Sequence, residues 1–531
     1  MTAASISRVV KVDPKDIPEP TPVVFPSPPA PRSSAPPDRN LKAKAASEPK
    51  TKGLVATLQD IHRPLDIKSE LFDSLGVRAH YDAEPKALVP DPSYIPDFDG
   101  WDNLTADQSR ERNHDTKRPL SNGNLSPGCQ VYRERKTELS TSNQDAFRTV
   151  RRLPAPKGQN PVRLGNSYEF FRCLEALTPY WDDCTAPPRP QEGSPDTSTS
   201  DKSSASEESR WSSTRSPDVE HAVEYRVMAG SSMAPEHRHN LLSAFIKLVA
   251  YDFGCNVTTP RSEPRLYIGS PPSSRPRDPP PRKSYISSGC IFIFRSAVKR
   301  EQARAGIVDG PVAAVSARAT TNLSVEAERN QDLARELIAG LVTAQHRARE
   351  GKAEKRVGEG QWWATKKRWG GGSGGPIGKE ADAEGASLTS PITSPTSPEG
   401  SSSPTVKRAR KTLTMYDNYR MVRPPSLNWD KKTRYEAIGR VQGADFDDVF
   451  VISSLFHHVS VLRLRVPSRL LDVFDGAEDG GDIPWGELAL WRSKWFDLFV
   501  AAERIEAMKL LWSVFAYQMR RTGQPATPEK K

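Results

Sequence analysis

The 531-residue sequence lacks any long run of apolar residues of the kind that crosses a membrane. A membrane-spanning helix needs about 20 consecutive apolar residues. The best candidate, near the C-terminus, is interrupted by four charged residues, Glu503, Arg504, Glu506 and Lys509. No apolar core of the signal-peptide type follows Met1. We therefore expect a soluble intracellular protein with no membrane partner.

Cysteine is scarce, and the five cysteines are odd in number and far apart. They are Cys129, Cys173, Cys184, Cys255 and Cys290. No pair has the CxxC spacing that zinc sites and redox motifs use. The sequence therefore predicts neither a disulfide framework nor a cysteine-based metal site, and a reducing compartment fits this composition.

Several motifs of catalysis and ligand binding are also missing. The sequence contains no GxxxxGK[ST] phosphate loop and no HExxH zinc motif. A glycine run over 370–375 has no apolar strand before it and no helix after it, so it resembles a linker more than a phosphate-binding loop. We therefore predict no catalytic residue and no cofactor, and an enzyme of unrecognised class remains the third hypothesis.

Histidines and acidic residues form three small groups without a clear metal pattern. His237 and His239 are two apart on a predicted helix, and His457 and His458 are adjacent, so neither pair is expected to face one ion. A third group, Asp445, Asp447 and Asp448, starts a predicted helix, where carboxylates stabilise the positive end of the helix dipole. The sequence predicts no metal site.

Proline and glycine are abundant, and only 36% of the residues are hydrophobic, so we expect roughly half of the chain to fold. Apolar residues are sparse over 1–160, which predicts a mostly disordered N-terminal arm. The remaining predicted segments are a docking helix within 161–185, a low-complexity linker over 186–219, a central α+β region over 220–369 with a proline-rich insertion at 270–283, a Gly/Ser/Pro linker over 370–410, a helical region over 411–521 and a disordered tail over 522–531.

Apolar spacing predicts helices over 235–254 and 323–349, and strands over 265–268 and 290–294 that pair with each other. A further helix is predicted over 445–465. The surest element is a long C-terminal helix over 484–521, whose apolar face must pack against another surface. Its predicted interaction residues are Trp491, Trp495, Leu498, Ile505 and Trp512.

A short stretch interleaves tryptophans with cations. It consists of Trp362, Trp363, Lys366, Lys367, Arg368 and Trp369. Stacking surfaces beside positive charge are what single-stranded nucleic acid requires, and the net charge of +10 favours acidic partners. The alternative is that the three indoles are buried in the core.

A compact basic cluster lies in the linker and is formed by Lys407, Arg408, Arg410 and Lys411. Serines followed by proline stand nearby, at Ser390, Ser394, Ser397 and Ser403. An exposed basic segment is typical of a nuclear import signal, and phosphates added beside it would offset its charge. The alternative is a plain solvated linker, which would leave the protein in the cytoplasm.

Together these features predict an α+β fold, with a small sheet, packed helices, a mainly helical C-terminal part and extensive disordered segments. The first functional hypothesis is a non-enzymatic nuclear regulatory or scaffold protein that binds another protein. The second is a nucleic-acid-binding protein that uses the Trp/Lys stretch. The sequence does not determine the oligomeric state.

Overall fold

The computed structural model describes residues 17–27, 53–155, 158, 160–185, 226–258, 264–272, 282–295, 307–318, 320–350, 434–441, 443–479 and 483–522. The Trp/Lys stretch, the basic cluster and the four Ser-Pro sites lie outside these residues. So do both predicted linkers, 186–219 and 370–410.

The fold is built on a mixed β-sheet to which distant parts of the chain contribute. The strands are β1 (Val77–His80), β2 (Cys255–Thr258), β3 (Arg265–Gly269), β4 (Lys283–Ser287), β5 (Ile291–Arg295), β6 (Ile307–Asp309), β7 (Ala313–Ala317), β8 (Arg434–Glu436), β9 (Phe446–Leu455), β10 (His458–Pro467), β11 (Leu488–Arg492) and β12 (Phe496–Asp497). The main sheet has the order β1-β11-β10-β9-β7-β5-β2, and β12 also pairs with β10. Strands β3 and β4 form a separate hairpin, and β6 pairs with β8.

Helices cover both faces of this sheet. They are α1 (Leu54–Asp60), α2 (Ser69–Leu75), α3 (Pro85–Leu88), α4 (Phe98–Asp102), α5 (Ala106–Glu111), α6 (Cys129–Ser140), α7 (Asn143–Val150), α8 (Tyr168–Glu175), α9 (Pro235–Ala250), α10 (Glu326–Arg347), α11 (Ser468–Phe474) and α12 (Ala501–Gln518). Val449 and Val451 belong to the core cluster that contains residues of α10, α1 and α2, whereas Phe450 and Ile452 belong to the cluster that contains residues of α12, α9, α8 and α6. The central strand is therefore buried on both faces.

Close contact between α10 and the sheet depends on Gly340. A Cβ atom at this position would lie 2.6 Å from Leu464 Cδ2 on β10, a separation that real Cβ atoms do not show. Glycine allows the helix backbone to approach the strand at this point.

The α+β fold class is confirmed, and the central and C-terminal regions share one sheet through the parallel pairing of β7 with β9. Helices α9 and α10 agree closely with the helices predicted over 235–254 and 323–349. Helix α8 lies within the predicted docking segment 161–185 and buries Phe170, Phe171 and Leu174.

The predicted helix over 445–465 is wrong, because β9 and β10 form an antiparallel hairpin there. A strand covered on both faces is apolar at successive positions, so its sequence loses the alternation of a half-exposed strand. Spacings of three and four residues then occur by chance. As a result, the predicted helical region 411–521 includes β8 to β12.

The C-terminal helix begins at Ala501, and the prediction that it starts near 484 is wrong. Residues 488–497 instead contribute β11 and β12 to the sheet. Trp491 therefore belongs to a strand, Trp495 to the connection before β12, and Leu498 to the segment before the helix. Ile505 and Trp512 lie on α12.

The predicted disordered arm over 1–160 is also wrong for the part that the structure describes, since 53–155 contains helices α1 to α7. Most of these helices are short and bury a few apolar side chains against the larger layers, whereas the buried residue of α5 is Ser109. Trp101 and Tyr132, for example, pack with Trp512 of α12. Their stability comes from tertiary packing, which local composition does not report.

The predicted pairing of the strands over 265–268 and 290–294 is wrong as well. Strand β3 pairs with β4, whereas β5 pairs with β2 and β7. The predicted proline-rich insertion 270–283 overlaps the start of β4, and residues 273–281 lie outside the described part of the chain.

Candidate functional site at the carboxyl edge of the sheet

Six strands of the main sheet run in the same direction, namely β1, β2, β7, β9, β11 and β12. Their carboxyl ends meet at one edge, which we call the carboxyl edge. In open α/β sheets ligands bind outside such an edge. Here the edge carries an ion cluster, a histidine cluster and a segment from the N-terminal part of the chain.

The buried ion cluster contains Arg318, which follows β7, Arg492 at the end of β11, and Asp332 and Glu336 one turn apart on α10. Arg318 Nη2 donates to Asp332 Oδ2 at 3.0 Å. The Glu336 carboxylate contacts both guanidinium groups and accepts from the hydroxyl of Ser453 on β9. The side chains of Arg318 and Glu336 are completely buried, so this cluster joins α10 to three strands away from water.

Opposite charges balance within the cluster. Burial, followed by the like charge of Arg318, lowers the pKa of Arg492 to about 10, so the guanidinium remains protonated at neutral pH. Burial alone would raise the pKa of Asp332, but the charge and hydrogen bonds of Arg318 outweigh it and hold that pKa below its usual value. A buried charge of this kind is tolerated only when it is paired.

Trp495 covers the cluster from outside. The guanidinium carbons of Arg318 and Arg492 lie 5.0 Å and 5.4 Å from the centroid of its indole ring. Tyr81 lies just beyond β1, and the centroid of its ring is 5.5 Å from the guanidinium carbon of Arg492. These distances allow cation–π attraction, which adds to the internal pairing.

Residues 17–27 lie along this edge, and we call them the N-terminal strap. Phe25 stacks on Trp495 with ring centroids 5.4 Å apart and meets the His458 ring edge-on at 4.9 Å. The backbone of Val24 forms a parallel bridge, donating to the carbonyl of Thr321 at 3.0 Å and accepting from the amide of Leu323 at 3.2 Å.

Two further contacts hold the first half of the strap. The amide of Gly230 donates to Thr21 Oγ1 at 2.7 Å, and the Arg226 guanidinium donates to the carbonyl of Pro18. A Cβ atom at Gly230 would lie 3.0 Å from both Thr21 Oγ1 and the Phe456 ring. The absence of a side chain there lets the strap and Phe456 pack together.

The histidine cluster consists of His457, His458 and Asp497. His457 Nε2 lies 3.4 Å from Asp497 Oδ1, and His458 Nε2 lies 3.8 Å from Asp497 Oδ2. Burial, followed by the neighbouring His457, lowers the pKa of His458 to about 4, so its imidazole is neutral at neutral pH. The prediction that these adjacent histidines cannot face one ion is wrong, because they lie on a hairpin and not on a helix.

The structure separates the residues that the sequence assigned to an interaction helix. Leu498 and Trp512 are buried in the core, and Ile505 is partly buried against it. Trp491 stacks on His80, with ring centroids 5.5 Å apart. Only Trp495 belongs to the carboxyl edge.

The predicted dipole role of Asp445, Asp447 and Asp448 is wrong, since the helix is replaced by β9. Asp447 Oδ1 accepts from Arg347 at 2.9 Å, and Asp448 pairs with Arg465 at 3.1 Å. Both carboxylates therefore hold neighbouring elements together.

Neither the ion cluster nor the strap was predicted from the sequence. Asp332 and Glu336 are four residues apart on a correctly predicted helix, but each precedes a residue of the apolar stripe, Leu333 and Leu337, and lies beside the stripe. Charged residues beside an apolar stripe are ordinary in an amphipathic helix, so their burial had no signal in the sequence. The strap has no signal either, because an extended segment with several prolines shows neither helical nor strand periodicity.

These features define a class, an α+β protein with a mixed sheet and helices on both faces. Comparison with models of protein families, with curated proteins and with solved structures found no match. In the described part of the chain, no helix is both long and apolar enough to cross a membrane.

Proposed function

We propose that this protein is a non-enzymatic regulatory or scaffold protein that binds another protein, and that it does so by holding an extended, proline-containing segment at the carboxyl edge. The observation that carries the proposal is the N-terminal strap. It is a natural example of such a segment, bound to this edge by aromatic stacking and by backbone hydrogen bonds.

The strap contacts resemble general modes of peptide recognition. Proline-rich segments bind to aromatic surfaces, and extended segments pair through their backbone with an exposed edge. Phe25 on Trp495 supplies the first kind of contact. The parallel bridge between Val24 and Asn322 supplies backbone pairing similar to the second kind, but with the loop between β7 and α10 and not with a strand. Proline has no backbone N–H, so the side chain of Arg226, which bonds the Pro18 carbonyl, suits a segment of this composition.

The ionic groups at the carboxyl edge are already paired and covered, which favours a binding function over a catalytic one. Glu336 pairs with both Arg318 and Arg492. Trp495 lies over these groups, and the strap covers Trp495. An enzyme would need these groups to be released for a substrate. A substrate-sized cavity that opens on removal of the strap would support the enzyme hypothesis instead.

A synthetic peptide of residues 17–27 tests this proposal. We expect saturable binding to a chain that lacks residues 1–27, and much weaker binding to the full chain, in which the tethered strap competes at an effective concentration of about 1 mM. Phe25→Ala in the peptide should weaken binding by about tenfold or more, because it removes the stacked ring. Fluorescence anisotropy of a labelled peptide measures each affinity.

The matched control peptide carries Glu19→Ala, since Glu19 is exposed in the strap and should contribute little. If truncation prevents folding, the full chain with Phe25→Ala replaces it, and this variant should bind the peptide more tightly than the wild type. No binding to either protein, with both shown to be folded by circular dichroism, would contradict the proposal.

We further propose that the basic cluster directs this protein to the nucleus. Replacement of its four residues by alanine should abolish nuclear accumulation of a fluorescent fusion, because an acidic import receptor would lose its charge contacts. The control variant removes the same charge from another part of the chain, at Lys42, Lys44, Lys50 and Lys52. An unchanged distribution in the first variant, imaged in the same cells, would refute the import role.

A further inference from the structure

Three potential metal ligands meet where the β9–β10 turn faces β12. One ligand atom from each of His457, His458 and Asp497 can be chosen so that all three lie within 4.8 Å of one another. The Nε2 atoms of the two histidines approach different oxygens of the same carboxylate, at 3.4 Å and 3.8 Å. Imidazole nitrogen and carboxylate oxygen form a ligand set that suits zinc and related divalent transition metals.

The turn explains how adjacent histidines come together. Successive side chains of a regular strand point to opposite faces. His457 is in the two-residue turn, however, after Phe456, whose φ of 56° is in the left-handed region, and His458 is the first residue of β10. Their ring centroids are consequently only 4.1 Å apart. Pairing of His458 with Asp497 in the β10–β12 register brings the carboxylate to the same place.

His457 points to a ligand by a separate observation. Its side chain is completely buried, and among the described residues neither ring nitrogen makes a hydrogen bond of standard geometry, although Nε2 faces Asp497 Oδ1 at 3.4 Å. Aromatic rings surround it, with the centroids of Trp181 and Phe499 at 4.7 Å and 5.0 Å. A buried polar group without a partner is costly, and coordination of an ion would satisfy it.

The distances also fit an ion. Zinc–nitrogen and zinc–oxygen bonds of about 2.0–2.2 Å in a tetrahedron place neighbouring ligand atoms about 3.3–3.5 Å apart. The separations of 3.4 Å and 3.8 Å from the two carboxylate oxygens are close to this value. One ligand atom from each residue lies within 4.8 Å of the others, so binding requires the three side chains to close by at most about 1.5 Å. The amide of Phe499 donates to Asp497 Oδ1 at 2.8 Å and orients the carboxylate, as outer hydrogen bonds do in metal sites.

We propose that His457, His458 and Asp497 form a binding site for one divalent transition-metal ion of the zinc type. The three protein ligands leave a fourth position for water or another donor. Calcium and magnesium are disfavoured, because they require mostly oxygen ligands. The site does not depend on the peptide-binding proposal, although Phe25 of the strap covers its outer side at His458.

Zinc titration of the chelator-treated full chain tests the site. We expect one Zn²⁺ per chain by competition with a chromophoric chelator, and Co²⁺ in its place should produce visible d–d absorption. Loss of an outer hydrogen bond usually weakens metal binding by about 10- to 100-fold, so loss of a ligand in His458→Ala or Asp497→Asn should weaken it by about 100-fold or more. The control is His114→Ala, which removes an exposed histidine and should leave the affinity unchanged.

Thermal unfolding supplies a second measurement that is independent of the indicator. Because a ligand of the folded state raises the unfolding midpoint, Zn²⁺ should raise it for the wild type and His114→Ala but not for the two ligand variants. Circular dichroism confirms that each variant is folded, and Asp497→Asn preserves the shape of the side chain if His458→Ala does not fold. Absence of stoichiometric binding, or equal affinity in all four proteins, would overturn the proposal.

Discussion

Glu336→Gln is expected to lower the free energy of unfolding by about 3–5 kcal/mol, the usual cost of removing one partner from a buried ion pair. The Glu336 carboxylate is completely buried and contacts Arg318, Arg492 and Ser453. The amide has nearly the same shape but no charge, so within the described part of the chain the two buried guanidinium groups would be left with one nearby carboxylate, Asp332. Urea unfolding followed by circular dichroism measures the difference.

Glu328→Gln is the matched control, because Glu328 lies in the first turn of the same helix and is exposed. Its replacement should change the unfolding free energy by less than about 1 kcal/mol, since surface charges contribute little. Equal stability of the two variants would show that the ion cluster does not hold α10 to the sheet.

The elements that could be predicted from the sequence carry their own local signals. Helix α9 starts with Pro235 at its first position and is followed by Gly254, and its apolar face is regular. Helix α10 has Glu326 and Glu328 in its first turn and a basic residue at its end. In both helices local capping and tertiary packing favour the same structure, so the sequence pattern is sufficient to predict the helix.

The strands at the centre of the sheet could not be predicted in this way. Strand β9 is buried at every position from Asp447 to Leu455, so its sequence has no exposed face to create an alternation. Strand β11 is short, and one of its two neighbours, β1, is distant in the sequence. Tertiary pairing overrides helix propensity at such places.

The candidate site also has one part that could be predicted from the sequence and one part that could not. Helix α10, which carries Asp332 and Glu336, could be predicted, but their partners Arg318 and Arg492 come from the ends of β7 and β11. The closeness of His457, His458 and Asp497 depends on a turn with positive φ and on the β10–β12 register. Residue spacing contains neither piece of information, because both arise from the folded topology.

Trp512→Ala is expected to lower the free energy of unfolding by about 3–5 kcal/mol, as replacement of a large core side chain does. Trp512 is only 1% exposed, and the rings of Trp101, Tyr132 and Phe253 lie 5.5–6.4 Å from it, centroid to centroid. These neighbours come from α4, α6 and the segment after α9, so the cavity would loosen three elements together. Urea unfolding of the purified variant measures the loss.

Glu506→Ala on the same helix is the control. Its side chain is 52% exposed and pairs with Lys494 at the surface, so we expect a loss below about 1 kcal/mol. The comparison separates two roles for α12. If Trp512 packs inside its own molecule, the variant loses stability before any partner is added. If it instead served as an external interaction residue, the variant would keep the stability of the control and lose only partner binding.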